Sequence, residues 1–319
     1  MTEAVETSIK KTIAYFGIFD FPLTEMEVYK NLWQPGRPVS FAETEAELER
    51  LVANNELEVR EGFYFLKHAS DAVINRKKKY LVGQAKMKKA RRVARLISCL
   101  PFVRAIFVCN DMSYLNANAD SDIDFAVLTA KGRIWTARFF AAGLMAILGQ
   151  RPTAKNRADK ACLSFYSAED GWNLEKLTYL EDIHLIYWLS QFFPVYGEQT
   201  AVDDFFAQNS WLKEFLPNWF PVKPNRRWTV QHRCLIKKIV EAVLNGTLGL
   251  VVEKLLKTIQ LRILPKHLAE LAAAKDTDVV INDQILKFHD RDARLAIKKQ
   301  WEEKCAAINT PARGLTPIS

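Results

Sequence analysis

Asp120-Ser121-Asp122-Ile123-Asp124-Phe125-Ala126-Val127-Leu128 is the stretch on which the reading of this chain turns. Its second half, Phe125 to Leu128, has the aromatic and β-branched content of a buried strand. Its first half places carboxylates at the strand's entrance. Side chains two apart on a strand face the same side. Asp122 and Asp124 therefore project together, while Ile123 turns into the core. Two adjacent carboxylates repel unless a cation lies between them. Hard divalent cations such as Mg²⁺ take oxygen ligands, commonly one or two carboxylates together with substrate phosphates. The spacing suits metal-assisted phosphoryl or nucleotidyl transfer. An inert, solvated strand entrance is the competing reading, and D-x-D alone does not displace it.

The flanks add context. Val103-Arg104-Ala105-Ile106-Phe107-Val108-Cys109 reads as a buried strand, and Asn110 to Ala119 as a loop. Lys131-Gly132-Arg133 ends the acidic strand, and a helix begins at about Trp135. Arg133, near that helix start, is placed to meet a phosphate. Ala161 to Tyr166 is a further strand, with Ser164 as its inward polar position.

Strand, short loop, then D-S-D-I-D strand resembles the nucleotidyltransferase core of the DNA polymerase β superfamily. That family shows G-S-x-x-x-G a short way ahead of a D-x-D heading an apolar strand. Lys131-Gly132-Arg133-Ile134-Trp135-Thr136-Ala137-Arg138, Phe63-Tyr64-Phe65-Leu66 and Lys287-Phe288-His289 also resemble a group of bacterial nucleotidyltransferase-domain proteins. The resemblance implies that Asp122 and Asp124 are catalytic and hold Mg²⁺ or Mn²⁺. It implies a nucleoside triphosphate as substrate, attacked at its α-phosphate by an acceptor oxygen, with pyrophosphate leaving. Asn110, Asp111, Ser113, Ser121 and Arg133 are the implied nucleotide-binding positions.

The chain departs from the family at three points. The Gly-Ser pair falls on Asn110-Asp111, the later glycine on Leu115, and Ser164 stands where a third carboxylate is usual. A carboxylate about 4 Å from a phosphate costs on the order of 4 kcal/mol at an effective dielectric near 20. A working enzyme with an altered phosphate loop and a degenerate fold kept as a binding or scaffold module are therefore both carried forward.

Working outward, 319 residues with 49% hydrophobic and 26% charged content describe an ordinary globular chain of more than one unit. Five scattered cysteines without a CxxC pair exclude a zinc knuckle and fit reduced thiols, hence a cytoplasmic protein. No apolar run reaches membrane-spanning length, and no signal sequence is read at Met1 to Glu6. The net charge of +8 favours an anionic partner. Its distribution is uneven. Residues 1–70 carry 7 Lys and Arg against 12 Asp and Glu, whereas residues 71–105 carry 11 against 1.

The expected architecture is α+β. Residues 1–70 form a winged-helix-like module. Helices are expected after Thr7-Ser8, from a Thr24/Glu27 capping box, and from a Ser40/Glu43 capping box; a Glu61-Gly62 hairpin follows. Glu43, Glu45, Glu47 and Glu49 on the third helix oppose phosphate, so a protein-interaction role is favoured there over DNA binding. Residues 71–100 form a basic connecting helix, with a helix over Asn75 to Leu100. Its run from Arg76 to Arg95 leaves a nucleic-acid acceptor open. Residues 101–173 form a small mixed sheet of nucleotidyltransferase type, and residues 174–319 an all-α region. Within the latter, His184 reads as a packed histidine, Leu235 to Ile263 as helix broken at Asn245-Gly246, and His289 with Asp290 or Asp292 as a helix-face charge pairing.

Overall fold

The computed structural model describes residues 2–67, 69, 71–153, 155–179, 182–231, 234–274, 279–289 and 293–309. Helix α1 (Thr2–Phe16) leads through β1 (Leu23–Thr24) to α2 (Glu25–Lys30) and α3 (Phe41–Ala53). Strands β2 (Leu57–Arg60) and β3 (Phe63–Leu66) complete an antiparallel sheet in the order β1-β3-β2. Both expected capping boxes form: Thr24 and Ser40 accept from the amides of Glu27 and Glu43, whose carboxylates accept in return. Glu61 and Gly62 both have positive φ, at 53° and 78°. That is what a two-residue hairpin turn matching strand twist requires.

The basic helix α4 (Ala72–Ile97) lies slightly N-terminal to the expected Asn75 to Leu100. Then come β4 (Val103–Val108), β5 (Ile123–Thr129), α5 (Ile134–Ile147) and β6 (Ala161–Ala168). The chain continues through α6 (Ile183–Ser190), β7 (Phe193–Gly197), α7 (Gln199–Gln208) and α8 (Leu212–Phe215). Next are α9 (Leu235–Leu244), α10 (Thr247–Arg262), α11 (Lys266–Ala273), β8 (Val279–Ile281), β9 (Ile285–Phe288) and α12 (Arg294–Asn309). The central sheet has the order β7-β4-β5-β6-β9-β8. Only β5 and β6 run parallel, joined by the α5 crossover; the other pairs are antiparallel.

The expectation of an all-α region over residues 174–319 is corrected here. That region supplies β7, β8 and β9, half of the central sheet. These strands are three to five residues long. Such short runs carry too little alternation to stand out between helices. Pro194 in β7 is tolerated because that strand lies at the sheet's edge.

Period-two alternation divides the core between the sheet's faces. Phe107, Ala126 and Leu128 join one apolar cluster with α1, α3, α6, α7 and α12. Ile106, Val108, Phe125 and Val127 join another with α4 and α5. The N-terminal helices share the first cluster with the C-terminal ones, and Trp33 is the hub. Its ring meets Tyr187 at 5.6 Å, Phe215 at 5.8 Å and Trp301 at 5.7 Å.

Close packing of α4 sets the floor of the loop between β4 and β5. A Cβ on Gly83 would lie 2.9 Å from the Leu115 Cα and 3.0 Å from its carbonyl oxygen. Backbone cannot yield as a side chain does. Gly83→Ala is expected to lower stability by about 1–3 kcal/mol, a penalty typical of overpacking, read as a drop in thermal midpoint.

Candidate functional site

The acidic pair stands at the N-terminal end of β5. Ile123 between the carboxylates is fully buried, which locks their common direction. Asp122 is buried and Asp124 half-buried. Asp124 Oδ2 accepts from Asn110 Nδ2 at 2.8 Å, and Asn110 Oδ1 accepts from Trp188 Nε1 at 2.6 Å. This chain of bonds from α6 through the β4–β5 loop aims the Asp124 carboxylate. Asp122 faces the Arg157 guanidinium at 3.0 and 3.3 Å. The Arg157 side chain is 63% exposed, so the pair is closed from the solvent side.

Cys162 completes the cluster. One ligand atom from each of Asp122, Asp124 and Cys162 lies within 4.8 Å of the others. The parallel register of β5 and β6 pairs Asp124 with Cys162. Cys162 was missed in the sequence, although it shares its strand face with Ser164. Ser164 Oγ instead lies 3.0 Å from His289 Nε2. Asp290 and Asp292, considered as partners of His289, lie outside the described residues.

The loop of residues 110–115 has two non-glycine residues in the conformation that glycine adopts most readily. Asn110 has φ 54° and Leu115 has φ 61°, both left-handed. For leucine this conformation costs about 1–2 kcal/mol, which the α4 contact at Gly83 helps to hold. The polar groups of three expected site residues are engaged in internal hydrogen bonds. Ser113 Oγ donates to the Asn110 carbonyl at 2.7 Å, and Ser121 Oγ to that of Asn118 at 2.9 Å. The Asp111 carboxylate accepts from Tyr114 Oη at 2.6 Å. All the same, Asn110, Asp111, Ser113, Ser121, Asp122 and Asp124 line one cavity of about 320 Å³.

Arg133 is not brought to this site. It lies beyond the opposite end of β5, buried, donating to the Leu244 carbonyl at 3.1 Å and stacked 5.2 Å from the Phe102 ring. The helix start it was expected to serve is occupied by Glu253, which accepts from the Trp135 and Thr136 amides at 2.8 and 2.9 Å.

The far wall of the cavity escaped the sequence entirely. Tyr15 and Phe19 from the N-terminal module meet His184 and Trp188 of α6 there, with Lys287 from β9. Tyr15 Oη lies 2.8 Å from His184 Nδ1, and the Phe19 and His184 rings stack at 6.0 Å. His184 is packed and hydrogen-bonded as expected.

The basic helix divides into two parts. Arg76 pairs with Glu27, Lys77 with Glu61, and Lys86 and Lys89 with Asp159. Lys86 is buried and also donates to the carbonyls of Ala119 and Ser121, tying α4 to the segment ahead of the acidic pair. Of these, Arg76 and Lys86 are largely buried and fasten α4 to the rest of the fold.

No protein-family model, curated protein or solved structure matches the chain. No described helix is long and apolar enough to cross a membrane. The chemistry therefore rests on the geometry above.

Burial, followed by the neighbouring Asp122 charge, pushes the Asp124 carboxyl up to about 6. Burial and the Asp124 charge hold the Cys162 thiol far above its usual range, so it is protonated at neutral pH. A raised carboxyl binds more protons folded than unfolded between its two pKa values. Stability then falls as pH rises through that window. Without a divalent cation, the protein is expected to lose stability from about pH 4 to about pH 6. Asp124→Asn should flatten that slope in thermal melts run across the range; an unchanged slope would place the titration elsewhere.

Proposed function

We propose that the protein is a metal-dependent nucleotidyltransferase that transfers a nucleoside monophosphate from a nucleoside triphosphate to an acceptor. The observation that carries this reading is the carboxylate pair, with Asp124 oriented by Asn110, at the wall of a cavity of about 320 Å³. Retained left-handed φ at Asn110 and Leu115 supports it, because those are the positions the related family fills with glycine. The order α1-β1-α2-α3-β2-β3 supports a winged-helix reading of the N-terminal module. The mixed sheet with parallel β5 and β6 supports a nucleotidyltransferase core.

In this reading Asp122 and Asp124 hold Mg²⁺ or Mn²⁺, which supplies Lewis-acid neutralisation of the phosphate charge. The chain's own residues do the rest. Asn110 keeps Asp124 aimed, and Arg157 yields Asp122 when a cation arrives. Arg157 is then placed to approach phosphate oxygens from the solvent side. The aromatic wall of Tyr15, Phe19 and Trp188 offers apolar surface to the rest of the nucleotide.

A second reading has its own support. Cys162 stands opposite Asp124 as a protonated thiol and supplies no general base. Asp111 adds a further carboxylate to the cavity. Both favour a degenerate site, kept as a binding or scaffold module. Calorimetric titration with ATP, CTP, GTP and UTP, each with Mg²⁺ or Mn²⁺, tests the proposal. Metal-dependent binding is expected for at least one of them. Pyrophosphate release in the presence of candidate acceptors then separates turnover from binding alone. No binding to well-folded protein would sink the transfer reading and leave the scaffold reading standing.

A further inference from the structure

Four further basic residues of α4 gather elsewhere. Lys88, Arg91, Arg92 and Arg95 line one side of a groove of about 660 Å³. The other side is the segment around Arg227, Trp228, Val230 and Gln231. This segment is a fixed wall. The Val230 amide donates to the Val195 carbonyl of β7 at 2.7 Å, and Arg91 Nε donates to the Thr229 carbonyl at 2.9 Å. No Asp or Glu lines the groove among the described residues. Lys86 and Lys88 stand two apart on a helix and so point to opposite sides. The groove and the acidic cavity share no lining residue.

A solvated helix face is the usual meaning of a charge run, and on such a face cations spread apart. Here five cations converge from two walls across a concavity. Uncompensated like charge in a groove focuses a positive potential. Lys88 to Arg95 covers about 10 Å of helix axis, which is longer than one phosphate group. Trp228 is half-buried, and the Arg227 guanidinium stacks 4.6 Å from its ring. An aromatic ring and a guanidinium plane beside a cationic track are the components that bind single strands. A duplex is read by elements that protrude into its grooves, and a walled slot does not protrude.

We propose that this groove binds single-stranded nucleic acid, with Lys88, Arg92 and Arg95 on consecutive phosphates and the Arg227–Trp228 pair beneath a base. The proposal stands apart from the nucleotidyl-transfer reading, because no residue is shared with the acidic cavity.

Fluorescence anisotropy with labelled oligo(dT) and oligo(U) of about 12 nucleotides, at about 50 mM salt, tests it. Saturable binding without added metal is expected. With three or four phosphates engaged, the log–log salt slope should be about −2 to −3. Lys88→Glu/Arg92→Glu/Arg95→Glu should weaken binding at least about tenfold and flatten the slope. Lys78→Glu/Lys213→Glu/Lys299→Glu makes the same charge change at exposed positions outside the groove. That control should stay within about twofold of wild type. Thermal melts establish that both variants are folded. Equal losses in the two variants, tighter binding of a hairpin duplex, or no binding would each overturn the proposal. Asp122→Asn/Asp124→Asn should bind the oligonucleotides as wild type does, so failure of the transfer reading is told apart from failure of this one.

Discussion

Asp122→Asn/Asp124→Asn should abolish metal-dependent nucleotide binding while leaving the chain folded. The two carboxylates supply all the formal negative charge that the chain offers from β5 to a cation. Asparagine keeps their size but offers only neutral oxygens, which bind a hard divalent ion far less strongly. An affinity loss of at least about 100-fold is expected, equivalent to about 2.8 kcal/mol. The fold should survive because the amide oxygen that replaces the Asp124 carboxylate can still accept from Asn110 Nδ2, the bond that now holds Asp124 at 2.8 Å. Stability without metal should rise, since the charge that burial and Asp122 disfavour at Asp124 is gone. Calorimetry with the preferred nucleotide and Mg²⁺ or Mn²⁺, together with melts of the metal-free variant, checks both halves. Wild-type affinity in the double variant would remove the acidic pair from the site.

The other large effect belongs to stability. Asp182→Ala is expected to destabilise the protein by about 3–5 kcal/mol, the usual result of stranding one partner of a buried ion pair. Asp182 and Arg294 have side chains 1% and 4% exposed and meet at 2.8 Å. Asp182 also caps α6, accepting from the Leu185 amide at 3.0 Å. Arg294 donates to the Leu177 carbonyl at 2.8 Å and stacks 4.1 Å from the Tyr179 ring. The pair thus fastens the start of α12 to the start of α6. Both helices carry walls of the cavity: His184 and Trp188 on one, Arg294 and Ile297 on the other. Denaturant titration of Asp182→Ala and of Asp182→Asn/Arg294→Met provides the check. The double variant, with no buried charge left alone, should lie closer to wild type. A loss under about 1 kcal/mol in the single variant would mean that water reaches Arg294.

Much of the chain was legible because its signals are local. The capping boxes at Thr24 and Ser40, the Glu61-Gly62 turn and the break at Asn245-Gly246 depend on residues within one or two turns of each other. The D-S-D-I-D stretch was legible for the same reason: strand parity alone sends Asp122 and Asp124 one way and Ile123 the other. What was misread depends on distant partners. Arg133 looked like a phosphate ligand at a helix start, yet Glu253 from α10 already fills that start. The C-terminal strands did not stand out from their helical surroundings, because three to five residues form a strand only when an existing edge accepts their hydrogen bonds.

The amino-acid sequence by itself determined the carboxylate pair, the order of the N-terminal elements and the abrupt onset of positive charge after residue 70. These follow from short-range periodicity and from counting. Tertiary structure alone decided what surrounds the pair. It put Cys162 opposite Asp124, Arg157 on Asp122, and the aromatic wall of Tyr15, Phe19, His184 and Trp188 across the cavity. It also sorted the basic helix into residues that fasten the fold and residues that line an open groove. The physical reason is that a side chain's role depends on which charge or hydrogen-bonding group lies within a few ångströms. Chain segments brought together by packing choose that neighbour, and local sequence does not encode it.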